Sequence, residues 1–174
     1  MNERVKPIVY VDLDGVCADF DKAFPLVAEK EWVEGSEKKV PEGFFCDLEP
    51  IEGAVNALHT LAGIGLDLYF LSTPQWSNPN CWKEKRLWVE KHYGELMFKR
   101  LILTHHKYLL KGDYLIDDRK VNGNDKFEGK FIHFGSEEFP DWNAVTRFFV
   151  DERMKEVKNS LKKTLHSQID RVLR

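Results

Sequence analysis

Two acidic pairs stand directly after apolar runs in this chain, and they are the residues best suited to chemistry. The run Ile8-Val9-Tyr10-Val11 delivers Asp12 and Asp14, with Gly15 turning the chain behind them. Far along the sequence, Tyr114-Leu115-Ile116 ends in Asp117-Asp118, followed by Arg119. Either pair alone is ordinary, because Asp and Gly suit surface turns. On adjacent parallel strands, however, the two pairs crowd four carboxylates, and two unit charges ~4 Å apart at an effective dielectric of ~20 repel by about 4 kcal/mol. A cation is needed to offset this. Oxygen-only ligands favour a hard divalent ion, and a small cluster that leaves room for water and a phosphate suits Mg²⁺ better than a full Ca²⁺ cage.

Other polar groups fall after apolar runs in the same way. Ser72 and Thr73 close the run at residues 67–71, where Pro74 forbids further pairing. Hydroxyls at a strand end can hold a phosphate, although by themselves they read as a turn or a helix cap. Lys107 precedes the second acidic strand and can aim its ammonium at the same place, whereas in isolation it reads as a solvated lysine. The adjacent His105 and His106 do not share a face of a strand or helix and have no third nitrogen ligand nearby, so both are read as structural or surface groups.

The elements that must carry these groups alternate. Strands are expected at residues 8–11, 67–71, 101–103, 114–116 and 130–134. Between them, apolar residues at helical spacing predict helices over 18–30, distorted by Pro25, over 54–62, and over 82–93. The last of these has Lys85, Trp88, Val89, His92 and Tyr93 on one side and Gly94 as its stop. Residues 31–47 are charged and punctuated by Gly35, Pro41 and Gly43. They predict a compact cap anchored by Trp32 and by one of Phe44 and Phe45. From Asp141 onward the pattern is helical, first with a strong stripe (Trp142, Val145, Phe148, Phe149) and then with a thinner one (Met154, Val157, Leu161, Leu165, Ile169, Val172). The expected fold is α/β, a doubly wound parallel sheet with a small helical cap inserted after the first strand. Its core comprises residues 1–19 and 48–150, the cap 20–47, and a charged amphipathic helix 151–174.

Composition narrows the function classes. The chain has 174 residues, 43% hydrophobic and 32% charged, which suits one globular domain. A net charge of -3 argues against a general polyanion binder, so no nucleic-acid polymer is expected as a partner. Cys17, Cys46 and Cys81 are odd in number and lack C-x-x-C spacing, which suggests neither a disulfide framework nor a zinc site. No signal peptide or membrane span is expected, and a cytoplasmic location is the default. Association into a homo-oligomer is left open.

A phosphate monoester over these strand ends would meet a complete set of groups. Its uncatalysed hydrolysis is among the slowest reactions enzymes accelerate, needing up to ~10²¹-fold, so several effects must combine. Asp12, nearest the strand end, is best placed to attack phosphorus and form an aspartyl-phosphate. Asp14 can protonate the leaving alkoxide and later deprotonate water. Mg²⁺ would bridge Asp12, a backbone carbonyl near Asp14 and the Asp117-Asp118 pair, while Ser72, Thr73 and Lys107 hold the equatorial oxygens.

The set Asp12-x-Asp14-Gly15-Val16, Ser72-Thr73, Lys107 and Asp117-Asp118 resembles, in order and spacing, the four motifs of the haloacid dehalogenase superfamily of phosphatases. More narrowly, residues 12–20, Gly43-Phe44-Phe45, Leu48-Glu49-Pro50 with Gly53-Ala54, Ser72-Thr73-Pro74, Trp88-Val89-Glu90-Lys91 with Gly94, and residues 115–119 resemble the 5'(3')-deoxyribonucleotidases. The likeness spans most of residues 8–149. It implies Asp12 as nucleophile, Asp14 as acid/base, and the Asp14 carbonyl and Asp118 as Mg²⁺ ligands with Asp117 in support. It also implies phosphate binding by Ser72, Thr73 and Lys107, and a nucleobase stacked on Phe20 with Phe45 as a second wall. The expected partner is a nucleoside monophosphate or another small phosphomonoester. Three features depart from the family pattern: a cap shorter than in the animal enzymes, Ser-Thr in place of Thr-Ser, and the charged extension after Val150. Two rivals remain, a promiscuous phosphatase for small esters and a phosphoacceptor signalling domain. Motif order argues against the latter, because there the acceptor Asp follows an early acidic pair.

Overall fold

The computed structural model describes residues 6–27, 40–121 and 123–172. The expected cap anchor Trp32 and the rest of residues 28–39 lie outside them. Five parallel strands form one sheet: β1 (Ile8–Val11), β2 (Asp67–Ser72), β3 (Leu101–Leu103), β4 (Tyr114–Asp117) and β5 (Lys130–His133), in the order β3-β2-β1-β4-β5. All five expected strands are present. β1, three of whose four residues are buried, is the central strand, as its β-branched and aromatic run predicts. Its register sets Val11 beside Phe70 on one side and beside Ile116 on the other.

The order of the strands locates the site. The chain winds from β1 outward through β2 to β3, then returns to the far side of β1 for β4 and β5. The winding reverses between β1 and β4, and open parallel sheets bind ligands beyond the strand ends at such a switch point. Asp12 follows β1 there, and Asp117 and Asp118 close β4 beside it.

Among the described residues five α-helices accompany the strands: α1 (Phe20–Val27), α2 (Phe44–Asp47), α3 (Ala54–Gly63), α4 (Pro79–Tyr93) and, after β5, α5 (Trp142–Val172). Their inward residues, among them Phe24, Leu58, Trp88 and Phe149, share one large core with Val9, Val11, Phe70, Ile116 and Ile132 of the sheet. The other sheet face carries a smaller core of Tyr10, Leu71, Leu115 and Phe127, and the short 3-10 helices Lys107–Leu109 and Asn124–Lys126 occur in the loops around β4.

Helix α4 begins three residues before the expected Trp82. Asn78 accepts a hydrogen bond from the Asn80 amide at 3.1 Å through its side chain, and Pro79 follows as the first helical residue. Helix α1 passes through Pro25 without ending there. Asp141 caps α5 by accepting from the Ala144 amide at 2.9 Å, and α5 runs without a break across position 150. Its first half packs on α3, and Arg153 donates to the Ile64 carbonyl at 3.0 Å. Beyond that anchor Met154, Val157 and Leu161 are exposed. No described helix is long and apolar enough to cross a membrane.

Candidate active site

The turn after β1 is tight and fixed from several sides. The amides of Val16, Cys17 and Ala18 all point to the Leu13 carbonyl, at 3.2, 2.8 and 2.8 Å. Gly15 adopts φ +77°, a left-handed conformation that an L side chain rarely takes. A Cβ there would also lie 2.6 Å from Asp118 Oδ2, so Gly15 is what lets the two acidic segments approach. From the other side Trp142 of α5 donates its indole N–H to the Val16 carbonyl at 2.8 Å.

Three of the expected carboxylates meet. One oxygen each from Asp12, Asp117 and Asp118 lies within 4.8 Å of the other two. Asp118 Oδ1 is buried and has no hydrogen-bond partner among the described residues. A buried carboxylate oxygen without a donor is costly, and an all-oxygen set of this size fits a hard divalent cation. Asp14 is not part of this cluster, since its carboxylate turns to a lysine instead.

Two buried lysines divide the acidic groups between them. Lys107, 2% exposed, places Nζ 2.6 Å from Asp117 Oδ2 and 3.0 Å from Asp12 Oδ1. The ammonium of Lys107, expected to hold a phosphate oxygen, rests on these two carboxylates. Lys85 of α4, equally buried, donates to Asp14 Oδ2 at 2.6 Å, to Ser72 Oγ at 2.8 Å and to the Thr73 carbonyl at 3.2 Å. Three acceptors satisfy its three N–H groups. Asp117 is further held by the Asn124 side-chain amide at 2.7 Å and the Arg119 backbone amide at 3.0 Å.

These contacts set the protonation of the acids. Burial alone raises the Asp12 carboxyl, but the charges of Lys107 and Lys85 and the Leu13 amide outweigh it, and the group is held below the ordinary carboxylate range. Asp12 is therefore an ionised carboxylate near neutral pH. Asp117 is pushed up to about 6 by burial and by the Asp12 charge, against the pull of Lys107. Burial likewise raises Asp118, with Arg119 pulling it back and Asp12 adding to the rise. Burial lowers Lys107, yet Asp12 and Asp117 reverse the effect and keep it firmly cationic.

Beside this charged centre lies an aromatic wall. Phe20 and Phe24 stack at 5.5 Å, and Phe20 meets Phe44 edge-on at 5.4 Å and Phe45 at 6.1 Å. The Phe45 ring in turn lies 5.4 Å from Lys85 Nζ, so of the two aromatic residues expected to face a base Phe45 reaches the polar site, and Phe20 packs against it. His105 sits against the Trp76 and Trp82 rings.

Sequence reasoning missed Lys85 in the site, the buried Glu84 beside it that ties to Gly43 and Phe45, and Asn124 on Asp117. A signal for the first two was present: they share the inward face of α4 with Cys81, Trp88 and Val89, and charges on an apolar stripe need buried partners. Asn124 sits in a loop whose spacing gives no hint of Asp117.

The family model described as "5' nucleotidase, deoxy (Pyrimidine), cytosolic type C protein" matches residues 39–148. A Vibrio phage KVP40 protein provisionally named as a 5'(3')-deoxyribonucleotidase is 46% identical over 149 residues, covering 84% of this chain and 86% of its own length. The human cytosolic-type 5'(3')-deoxyribonucleotidase is 30% identical over 166 residues, covering 79% and 77%. Among solved structures, a haloacid dehalogenase family hydrolase of Deinococcus radiodurans, crystallised with phosphate and sodium, superposes with a TM-score of 0.52 at 12% identity over 83% of this chain and 88% of its own. That last likeness concerns the fold alone. With acidic pairs ending β1 and β4, hydroxyls ending β2 and relatives matched over most of its length, this chain belongs to the cytosolic type C 5'-nucleotidase family and is a phosphoric monoester hydrolase.

Proposed function

We propose that this chain hydrolyses nucleoside monophosphates, deoxyribonucleotides first among them, to nucleoside and phosphate through an aspartyl-phosphate formed on Asp12. The observation that carries the reading is the division of labour between the lysines: Asp12 is paired with Lys107 and Asp14 with Lys85. Two carboxylates of one turn are thereby given different surroundings, as a nucleophile and a proton carrier require. Asp12, held ionised, attacks phosphorus, and its bond to phosphorus forms as the ester bond breaks. Asp14 gives a proton to the departing nucleoside oxygen and takes one from the water that later cleaves the aspartyl-phosphate. Ser72 and Thr73, at the end of β2, bind the phosphoryl oxygens, and the two ammonium groups offset their charge. Lys107 serves phosphate binding through this charge as well as by fixing Asp12 and Asp117.

The acidic cluster fits Mg²⁺, with Asp12 and Asp118 as side-chain ligands, Asp117 in support and the Asp14 carbonyl completing the protein's share. Bound there, the ion would neutralise charge on the phosphate and so lower the repulsion between it and the Asp12 carboxylate. Phe20 and Phe45 would face the base, where stacking is worth roughly 1–3 kcal/mol. The segment around α2 would act as the cap that admits it. The names of the relatives support this substrate class, since those matched over most of the chain are called 5'(3')-deoxyribonucleotidases. Phosphate release from a panel of monophosphates, with Asp12→Asn as control, tests it.

A further inference from the structure

Glu84 neighbours the site lysine Lys85 on α4, yet its carboxylate points to the cap rather than to the catalytic centre. It is 3% exposed, and its two oxygens accept from separate backbone amides, Gly43 at 2.8 Å and Phe45 at 3.1 Å. The Cys46 thiol adds a contact of 3.7 Å to the Glu84 carbonyl. Gly43 lies in the left-handed region with φ +87°, a turn that presents its amide and that of Phe45 to the same carboxylate. Both hydrogen bonds span about forty residues of sequence, |i−j| being 41 and 39, so they are tertiary ties and not local turns. A buried carboxylate could have been neutralised by a lysine or arginine. Here it accepts from two peptide N–H groups, one on the cap residue Gly43 and one on Phe45 of the four-residue helix α2.

We infer that Glu84 is a positioning residue for substrate selection: it clamps α2 so that the Phe45 ring stands against the phosphate site. This rests on the nucleotidase reading above and goes beyond it by naming what fixes the wall. The geometry is direct. Residues 84 and 85 are consecutive on one rigid helix, so Glu84 fixes Phe45 and Lys85 fixes Asp14 and Ser72 from a single frame. The Phe45 ring 5.4 Å from Lys85 Nζ is where the two attachments meet. Phe45 is 2% exposed and so backs the wall behind Phe20, whose ring lies 6.1 Å away; a base resting on that wall would then be held at a set distance from the phosphorus, and a small ester without a base would not use the clamp at all.

The test compares Glu84→Gln with wild type on a deoxyribonucleoside monophosphate and on glycerol 2-phosphate. Gln keeps the shape but has one acceptor and one donor in place of two acceptors, so one amide loses its partner and faces an N–H. The expected result is a rise in KM for the nucleotide of about tenfold, the scale of one lost charge-assisted hydrogen bond. The kcat/KM for glycerol 2-phosphate should stay within about twofold, a split that general destabilisation does not produce. Phe45→Ala and the double variant complete a cycle: if Glu84 acts through Phe45, the double variant matches Phe45→Ala to within about twofold. Equal loss on both esters, multiplicative effects in the cycle, or an unchanged nucleotide KM would each overturn the inference. A wild-type enzyme with no preference for the nucleotide would contradict the nucleotidase reading itself and the clamp with it. A wild-type preference that survives Glu84→Gln contradicts the clamp alone.

Discussion

Lys85 Nζ stands 2.6 Å from Asp14 Oδ2 and 2.8 Å from Ser72 Oγ, so one buried ammonium links the residue assigned to proton transfer with a hydroxyl assigned to phosphate. Lys85→Met keeps the length of the side chain and removes the charge. It leaves the Asp14 carboxylate without its ion pair and Ser72 without its donor. Proton transfer by a positioned group contributes about 10²–10⁴-fold, and kcat should fall by at least about 10²-fold. Steady-state kinetics beside a folded-state check by circular dichroism measure it, and a kcat within about threefold of wild type would remove Lys85 from the mechanism.

Gly15→Ala should damage stability and metal response together. The backbone there is left-handed, and the added methyl would press within 2.6 Å of Asp118 Oδ2. Strain of this kind costs about 1–3 kcal/mol. Urea denaturation should register that loss, and the thermal stabilisation expected of Mg²⁺ in the wild type should shrink because Asp118 is displaced.

The acidic cluster makes the response to Mg²⁺ depend on pH. Asp117 is pushed up from 3.8 to about 6 by burial and the Asp12 charge, and burial raises Asp118 too. A carboxyl whose folded value is raised binds a proton more tightly in the native than in the unfolded chain. Its contribution to stability is therefore full below the unfolded value and is lost as pH rises from about 4 to about 6. Above that window the ionised cluster is the liability that a cation relieves. The Mg²⁺-induced rise in Tm should be largest at pH 7–8 and dwindle below about 6, because protons then compete for the same oxygens. A Mg²⁺ shift that grows on acidification would contradict the assignment of the cluster.

Trp142→Phe tests the support behind the first acidic turn. The indole N–H to the Val16 carbonyl at 2.8 Å is the tie from α5 to that turn, and both partners are buried. Losing it should cost about 1–2 kcal/mol and lower kcat more than it raises KM, because the turn carries the carboxylates proposed for catalysis and not the residues proposed to face the base. Denaturant titration and steady-state kinetics on one preparation give both numbers.

Much of this was legible in the sequence, for a local reason. In a parallel sheet the polar residue that ends a buried apolar run sits at the strand's carboxyl end, and Asp12, Ser72 and Asp117 announce themselves that way. Their assembly follows from winding order, which strand and helix alternation nearly dictates. The partners of those groups were not legible. Lys107 spans Asp12 and Asp117, a distance across two strands that no spacing reports. The spacing sets Lys85 on one side of its helix with Trp88 and Val89, but it does not report Asp14 and Ser72 as its partners, nor the buried Glu84 beside it as the acceptor of the Gly43 and Phe45 amides. The start of α4 was misjudged because Asn78-Pro79, a cap followed by a first-turn proline, was not used as a signal.

The most direct measurement is phosphate release with Mg²⁺ from deoxyribonucleoside and ribonucleoside 5'- and 3'-monophosphates and from simple sugar phosphates, with Asp12→Asn run alongside. Selective turnover of deoxyribonucleotides that disappears in Asp12→Asn is the predicted result. Equal turnover of every ester would contradict the substrate assignment, and turnover that persists in Asp12→Asn would contradict the aspartyl-phosphate mechanism at its centre.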